Sequence, residues 1–137
     1  MTNKPWLDFE KLCAEVKKAI SPEEYRVRHS IMVLGQDSGV ARQLDIVIDT
    51  GLDSDITFLD AKCYNRNVDV KDVEAVIGLA RDVRAVKCGI VTTIDYSDAA
   101  YNVAEANDME LVVLVDTGDH QWKKFVSIPF CLSLIHI

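Results

Sequence analysis

A chain of 137 residues, of which 49% are hydrophobic and 27% charged, has the composition of one soluble globular domain. No apolar run approaches the ~20 residues of a membrane-spanning helix, and the N-terminal MTNKPWLDFEKL does not resemble a signal peptide, so we expect a cytoplasmic protein with no membrane contact. The formal net charge of -7 argues against a protein that holds nucleic acid through its overall charge.

The charge is distributed unevenly along the chain. Residues 88–119 hold seven acids and no Lys or Arg, whereas residues 61–87 hold six bases against four acids. The second segment therefore predicts a weakly basic strip that is compatible with phosphate contacts, made of Lys62, Arg66, Lys71, Arg81, Arg84 and Lys87. The four cysteines and three histidines are scattered, which favours neither a disulfide framework nor a zinc site.

The first half of the chain predicts one helix and three strands. Apolar residues at helical spacing predict a helix over Leu7–Ile20, and alternation predicts a strand over Tyr25–Leu34. Two apolar runs, Leu44–Ile48 and Ile56–Ala61, flank the turn formers TGLDSD and predict a hairpin.

The second half alternates helices and strands. We expect a helix capped by Asp69 and Asp72, a strand over Lys87–Thr93, a helix from Ser97 to Asn107, a strand over Leu111–Val115 and an edge strand around Trp122–Ile128. The order α-β-β-β-α-β-α-β predicts an α/β fold with a mixed β-sheet flanked by helices. We expect a single domain over residues 1–128 and a tail over residues 129–137, whose end resembles translated sequencing-adapter DNA and is not expected to be native.

Charged residues interrupt the two strands of the predicted hairpin. Alternation places Asp60 and Lys62 on one face of the second strand, and Asp45 on the first strand can meet them if the register allows. Two carboxylates and a lysine on rigid strands suit a hard divalent cation and an attacking water. The alternative is a surface ion pair between Asp60 and Lys62 beside a solvated Asp45.

Several segments in this order resemble the PD-(D/E)xK nuclease superfamily, and within it the Mrr-type restriction endonuclease domain. The segments are Phe9-Glu10 in the first helix, Asp45 in the second strand, Asp60-Ala61-Lys62-Cys63-Tyr64, Val68-Asp69-Val70, Val91-Thr92-Thr93, and Asn107 to Leu111. The likeness covers roughly residues 8 to 116 and implies a restriction-endonuclease-like fold. Asp60 stands where Glu or Gln is frequent in the family, which shortens the side chain by one methylene and keeps the carboxylate.

The resemblance implies a metal-dependent DNA endonuclease, of the restriction or repair type, that hydrolyses phosphodiester bonds. It implies Mg²⁺ (or Mn²⁺) held by Asp45 and Asp60, with Glu10 as a further ligand or a solvated helix residue. Lys62 would orient the attacking water or stabilise charge on the phosphate.

Contacts with DNA and with other proteins are expected from residues other than these metal ligands and Lys62. Tyr64, Arg66 and Lys71 are candidates for phosphate or sugar contacts, and Glu74 is expected to be a surface residue. A homodimer would join through the apolar segment around Trp122, Phe125, Val126 and Ile128, and a separate partner protein could supply specificity.

Other functions are weighed beside the nuclease hypothesis. A non-catalytic nucleic-acid-binding or protein-interaction module on the same fold would suit the net acidity, and an unrelated α/β enzyme would make the Asp60–Lys62 pair structural. The sequence Asp37-Ser38-Gly39 lacks the strand-to-helix elbow and the placed histidine of a serine hydrolase.

Overall fold

The computed structural model describes residues 26–49, 55–62, 65–116 and 122–126. In chain order its elements are β1 Arg26–Leu34, β2 Ala41–Asp49, β3 Thr57–Lys62, α1 Val70–Val83, β4 Lys87–Thr92, α2 Asp98–Ala106, β5 Glu110–Asp116 and β6 Trp122–Val126. The predicted first helix lies outside the described residues. The other elements follow the predicted order, and the predicted α/β class is confirmed.

The six strands form one mixed sheet in the order β1-β2-β3-β4-β5-β6. β1, β2 and β3 are antiparallel neighbours, β3, β4 and β5 are parallel, and β6 is antiparallel to β5 at the edge of the sheet. α1 and α2 each connect two neighbouring parallel strands, as parallel connections require. Neither helix in the described part of the chain is long and apolar enough to cross a membrane.

Both faces of the sheet bury apolar side chains. On one face the central strands pack against both helices through Phe58, Ile90, Leu111, Val73, Val76, Ala100 and Ala104. The opposite face carries a second buried cluster of Ile46, Leu59, Val91 and Val112. Full burial of one such side chain contributes roughly 1.5–3 kcal/mol to the free energy of folding. Because the parallel strands are buried on both faces, their sequences are nearly continuously apolar.

The helix boundaries are set by local hydrogen bonds, as the sequence predicts. Asp69 accepts a hydrogen bond from the Asp72 backbone N–H, and the Asp72 side chain accepts one from the Asp69 N–H, which makes a complete capping box for α1. Ser97 accepts a hydrogen bond from the Ala100 N–H at the start of α2. These contacts satisfy N–H groups that have no partner within the helix.

The tip of the β1–β2 hairpin is fastened to the last turn of α1 by Asp82. This carboxylate accepts backbone N–H groups of Asp37 and Ser38 (both 2.9 Å), the Ser38 hydroxyl (2.7 Å) and the Arg42 guanidinium (2.6 Å). We call these contacts of Asp82 with Asp37, Ser38 and Arg42 the Asp82 latch. Gly35 lies directly beside the latch, and a Cβ at that position would overlap the Asp82 and Ser38 side-chain oxygens and displace them.

The segments that follow β3 and β4 are also tied together. Val68 and Tyr96 form a parallel bridge in which Val68 N–H donates to the Asp95 carbonyl and Ser97 N–H donates to the Val68 carbonyl. The buried Tyr96 hydroxyl lies between β4 and β5, where it accepts the Val112 N–H and lies within 2.9 Å of the Ile90 and Val112 carbonyl oxygens. These bonds hold the carboxyl ends of the parallel strands in place.

Candidate active site

Strand β3 places Asp60 and Lys62 on the face of the sheet that carries α1 and α2. Residues two apart on a strand share a face, and Phe58 on the same face packs in the cluster with the helices. Lys62 Nζ lies 2.8 Å from Asp60 Oδ2, with side-chain exposures of only 20% and 15%. This ion pair is therefore half-buried, in contrast to the solvated surface pair considered from the sequence.

Asp45 on β2 contacts the tripeptide Asp60-Ala61-Lys62 of β3. Its Oδ2 accepts a hydrogen bond of 2.9 Å from the Ala61 backbone N–H, and Ala61 lies between Asp60 and Lys62. The structure thus brings Asp45, Asp60 and Lys62 to one place, which we call the acidic corner.

The acidic corner lies where β2 separates from β3. The β2–β3 pairing covers Ile46–Ile48 and Thr57–Leu59 and ends at Ile46 and Leu59. Past this point Ala61 N–H donates to the Asp45 side chain, which takes the role of a backbone acceptor in the ladder.

A local distortion of the β1–β2 hairpin accompanies this separation. Leu44 and Val47 both pack in the cluster with the helices, whereas Ile46 packs on the opposite face, so the regular alternation of side chains is broken next to Asp45. Ser30 lies across from Asp45, between the pairs His29–Ile46 and Ile31–Leu44, with a left-handed φ of 55°. Such irregularities bend a strand and re-aim its side chains, and they recur beside active sites.

Strand β4 adds a hydroxyl beside the lysine. Thr92 pairs with Lys62 in the parallel register and is buried. Its Oγ1 accepts a hydrogen bond of 3.4 Å from the Ile94 N–H. In the sequence, Thr92 belongs to the Val91-Thr92-Thr93 segment and has no predicted role. Its register against Lys62 identifies it as a neighbour of the site.

The predicted DNA-contacting residues differ in their surroundings. Arg66 lies 3.1 Å from Asp72 and 3.7 Å from Asp69, so its guanidinium joins the capping box of α1. Lys71 is exposed in the first turn of the same helix. Tyr64 and Glu10 lie outside the described residues. Glu74 is exposed on α1, where sequence analysis expected a surface residue.

Half of the predicted basic strip is engaged with carboxylates. Lys62 pairs with Asp60, Arg66 with Asp72, and Arg84 with Asp37 at 2.9 Å. The Asp37 carboxylate raises the pKa of Arg84, and the Arg84 guanidinium lowers the pKa of Asp37. Ion pairing therefore reduces the positive potential that this strip presents to a phosphate backbone.

The donor set of the acidic corner fits a hard divalent cation. The described residues contain no group of three Asp, Glu, His or Cys side chains arranged to hold a metal ion. Mg²⁺, however, is usually bound through one or two carboxylates together with substrate phosphate and water. Two carboxylates from adjacent strands meet that requirement.

A separate cleft of about 170 Å³ lies between the end of α1, the start of β4 and the turn after α2. Its lining includes Cys88, a free thiol whose pKa is raised by burial to about 11, so that it stays neutral near pH 7. The lining of this cleft includes no residue of the acidic corner, and it does not include Arg66 or Lys71.

Comparisons with known proteins agree with the fold. A family model described as "Restriction endonuclease" (Mrr_cat) matches residues 2–119. No curated protein gives a significant match. A solved structure titled "Crystal Structure of Protein of Unknown Function AF1548" is similar with a TM-score of 0.64 at 16% sequence identity, over 77% of this chain and 56% of that one. The present chain therefore spans little more than half the length of that protein.

Proposed function

Because the chain belongs to the restriction endonuclease family represented by Mrr_cat, we propose that it is a metal-dependent endonuclease that hydrolyses phosphodiester bonds of DNA at the acidic corner. The observation that carries this proposal is the 2.9 Å hydrogen bond from Ala61 N–H to Asp45. It sets a carboxylate of β2 against the Asp60-Ala61-Lys62 tripeptide of β3, as the nuclease chemistry needs.

Asp45 and Asp60 would hold Mg²⁺ or Mn²⁺ through carboxylate oxygens, together with the Ala61 carbonyl and water. Glu10 is proposed as a further ligand on the basis of the family resemblance. When bound, a divalent cation supplies Lewis-acid polarisation of the phosphate and activation of water at neutral pH. The two carboxylates hold their positions because one accepts a backbone N–H and the other an ammonium.

Lys62 would act on the phosphate and on the attacking water. Its ammonium group is held at 2.8 Å from Asp60, on the same face of β3. A fixed positive charge next to the scissile phosphate stabilises the negative charge that develops on the phosphate oxygens. Arg66, Lys71 and Tyr64 are proposed to contact the DNA backbone near α1.

A non-catalytic nucleic-acid-binding or protein-interaction module on this fold is the second candidate. The ion pairs of Lys62, Arg66 and Arg84 favour it, because they reduce the charge that would hold DNA. Such a module would bind its partner whether or not the acidic corner is intact.

A plasmid-nicking assay separates the two candidates. Wild-type protein should nick supercoiled DNA with Mg²⁺ and not with EDTA, and Lys62→Ala should reduce the rate about 10²-fold or more. The matched control is Glu74→Gln, which changes one exposed charge on α1 and should retain the wild-type rate.

Cleavage by Lys62→Ala at the wild-type rate would contradict the role of Lys62. Binding of DNA without nicking under every metal condition would favour the non-catalytic module.

A further inference from the structure

Asp82 is a buried carboxylate to which the nuclease mechanism gives no task. Its side chain is 7% exposed and accepts four hydrogen bonds from the hairpin. Four donors match the roughly four lone-pair sites of one carboxylate. A fully satisfied buried polar group of this kind makes the local structure rigid.

One partner of Asp82 lies on the strand that carries Asp45, and the other two lie in the turn before that strand. Arg42 is three residues before Asp45 on β2, and its guanidinium reaches Asp82 from one side. From the other side the Asp37 and Ser38 amides fix the turn that leads into β2. The outer part of the hairpin, from Ile31 to Leu44, is thereby tied to α1.

The position of Asp45 depends on this outer part. The β2–β3 pairing ends at Ile46, so Asp45 is the first residue of β2 beyond the backbone ladder. Its carboxylate accepts the Ala61 N–H at 2.9 Å directly beyond the last backbone pair, so a change in the direction of β2 at this point would move that carboxylate. The left-handed φ of Ser30 across from Asp45 marks the bend.

Resting on the function proposed above, we propose that Asp82 is a positioning residue: through the latch it directs β2 so that Asp45 stays in register with Asp60 and Lys62 and can share a divalent cation. Asp82 touches neither cation nor DNA in this proposal. It acts only through Arg42, Ser38 and the turn, as residues behind metal ligands commonly do.

Two variants break the latch in different ways. Asp82→Asn keeps the side-chain shape, removes the charge and places an NH₂ group among the donors. Gly35→Ala changes no charge, but its Cβ would overlap the Asp82 and Ser38 oxygens and displace them. The matched control is Val83→Ala, which removes buried packing at the next residue of the same helical turn and leaves the latch contacts in place.

The first readout is binding of Mn²⁺ to the full chain without DNA, measured by electron paramagnetic resonance. Asp82→Asn and Gly35→Ala should raise the dissociation constant about 10- to 100-fold, the usual effect of removing a group that orients a metal ligand. Val83→Ala should bind like wild type. The second readout is hydrogen exchange of the Ala61 amide, which should accelerate in the two latch variants and not in Val83→Ala.

The results distinguish the possible failures. Wild-type Mn²⁺ affinity in Asp82→Asn, or equal weakening in Val83→Ala, would overturn the positioning role, because Asp82 would then act only on stability. Absence of Mn²⁺ binding by the wild type would overturn the proposed function itself. If Asp82→Asn does not fold, Ser38→Ala removes a single hydroxyl donor, and wild-type affinity in that variant would also overturn the role.

Discussion

The Asp82 latch and the acidic corner are both built around carboxylates, and they differ in the ratio of acceptors to donors. In the latch, one carboxylate receives four donors from the hairpin. In the acidic corner, Asp45 accepts one backbone N–H from Ala61, and Asp60 pairs with one ammonium, that of Lys62 on the same strand. Four donors hold a carboxylate in one geometry, whereas carboxylates that have few donors are the kind of oxygen ligand that a divalent cation prefers. The same residue type therefore has a structural role in the latch and the proposed catalytic role in the acidic corner.

Asp60→Asn tests the chemical side of this contrast and has the largest expected effect. Loss of a cation ligand should lower the rate of plasmid nicking by about 10²- to 10³-fold, since a bound cation supplies several kcal/mol of transition-state stabilisation. The free energy of unfolding should fall by roughly 1.5–3 kcal/mol, the range of a hydrogen bond to a charged group, because the Asp60–Lys62 pair is largely shielded from solvent.

Asp82→Asn should lose more stability than Asp60→Asn, because four hydrogen bonds to the hairpin are disturbed. Its rate of nicking should fall less than that of Asp60→Asn, because Asp82 affects the cation only through the position of Asp45. Chemical unfolding and nicking measured on both variants give the comparison. Equal losses of stability in Asp60→Asn and Asp82→Asn would remove the distinction between the two regions.

Metal binding should stabilise the acidic corner. Mn²⁺ binds only the folded state in this scheme, so at 100 times its dissociation constant mass action adds about 2.7 kcal/mol to the free energy of unfolding. Differential scanning fluorimetry should show a higher melting temperature with millimolar Mn²⁺ or Mg²⁺ in the wild type and in Glu74→Gln. Asp45→Asn and Asp60→Asn should lose the response. An indifferent wild type would argue against a metal site.

The structural features that follow from sequence alone are those formed by residues close together in the chain. Asp69 and Asp72 predict the start of α1 because a capping box spans only four residues. Alternation along β3 likewise predicts that Asp60 and Lys62 lie side by side, because it involves only three consecutive residues.

The features that sequence did not predict depend on distant partners. Asp82 looks like a solvated acid of α1, and its donors lie 40 to 45 residues earlier in the chain. Periodicity cannot reveal the end of the β2–β3 ladder at Ile46 either, because the residues directly before and after Asp45 are both apolar. The proposed ligand Glu10 and the proposed DNA contact Tyr64 stay predictions.

Acid should weaken the latch before it weakens the sheet. Hydrogen bonds from Ser38, with help from Asp37 and Arg42, lower the pKa of Asp82, and Arg84 lowers the pKa of Asp37. A carboxylate with a lowered pKa adds stability above its unfolded value of about 4 and loses it as the pH falls toward the folded value.

Urea unfolding at a series of pH values should therefore show falling stability below about pH 5, with a flatter profile in Asp82→Asn. An unchanged profile in that variant would assign the acid sensitivity to other carboxylates.

The smallest expected effect concerns how DNA is held. With two to four phosphates neutralised, the plot of log affinity against log salt should have a slope of roughly -2 to -4, at about -0.9 per phosphate. Lys71→Gln should reduce this slope by about 0.9. Arg66→Gln should reduce it less, because Arg66 already pairs with Asp72.

Fluorescence anisotropy titrations against salt, with Ca²⁺ and with EDTA, measure these slopes. Tight binding that does not depend on metal would reveal a basic surface beyond the described residues.

The separation in sequence between Asp82 and its donors also has a consequence for the order of folding. Asp45 and Ala61 are 16 residues apart, whereas the latch joins residues 40 to 45 apart. Closure of a longer loop costs more chain entropy and needs α1 to be formed already. Pulse-labelling hydrogen exchange should thus protect the Asp37 and Ser38 amides later than the amides of the β2–β3 hairpin. A nascent chain would then fasten the tip of the hairpin that carries Asp45 only after Asp82 has left the ribosome.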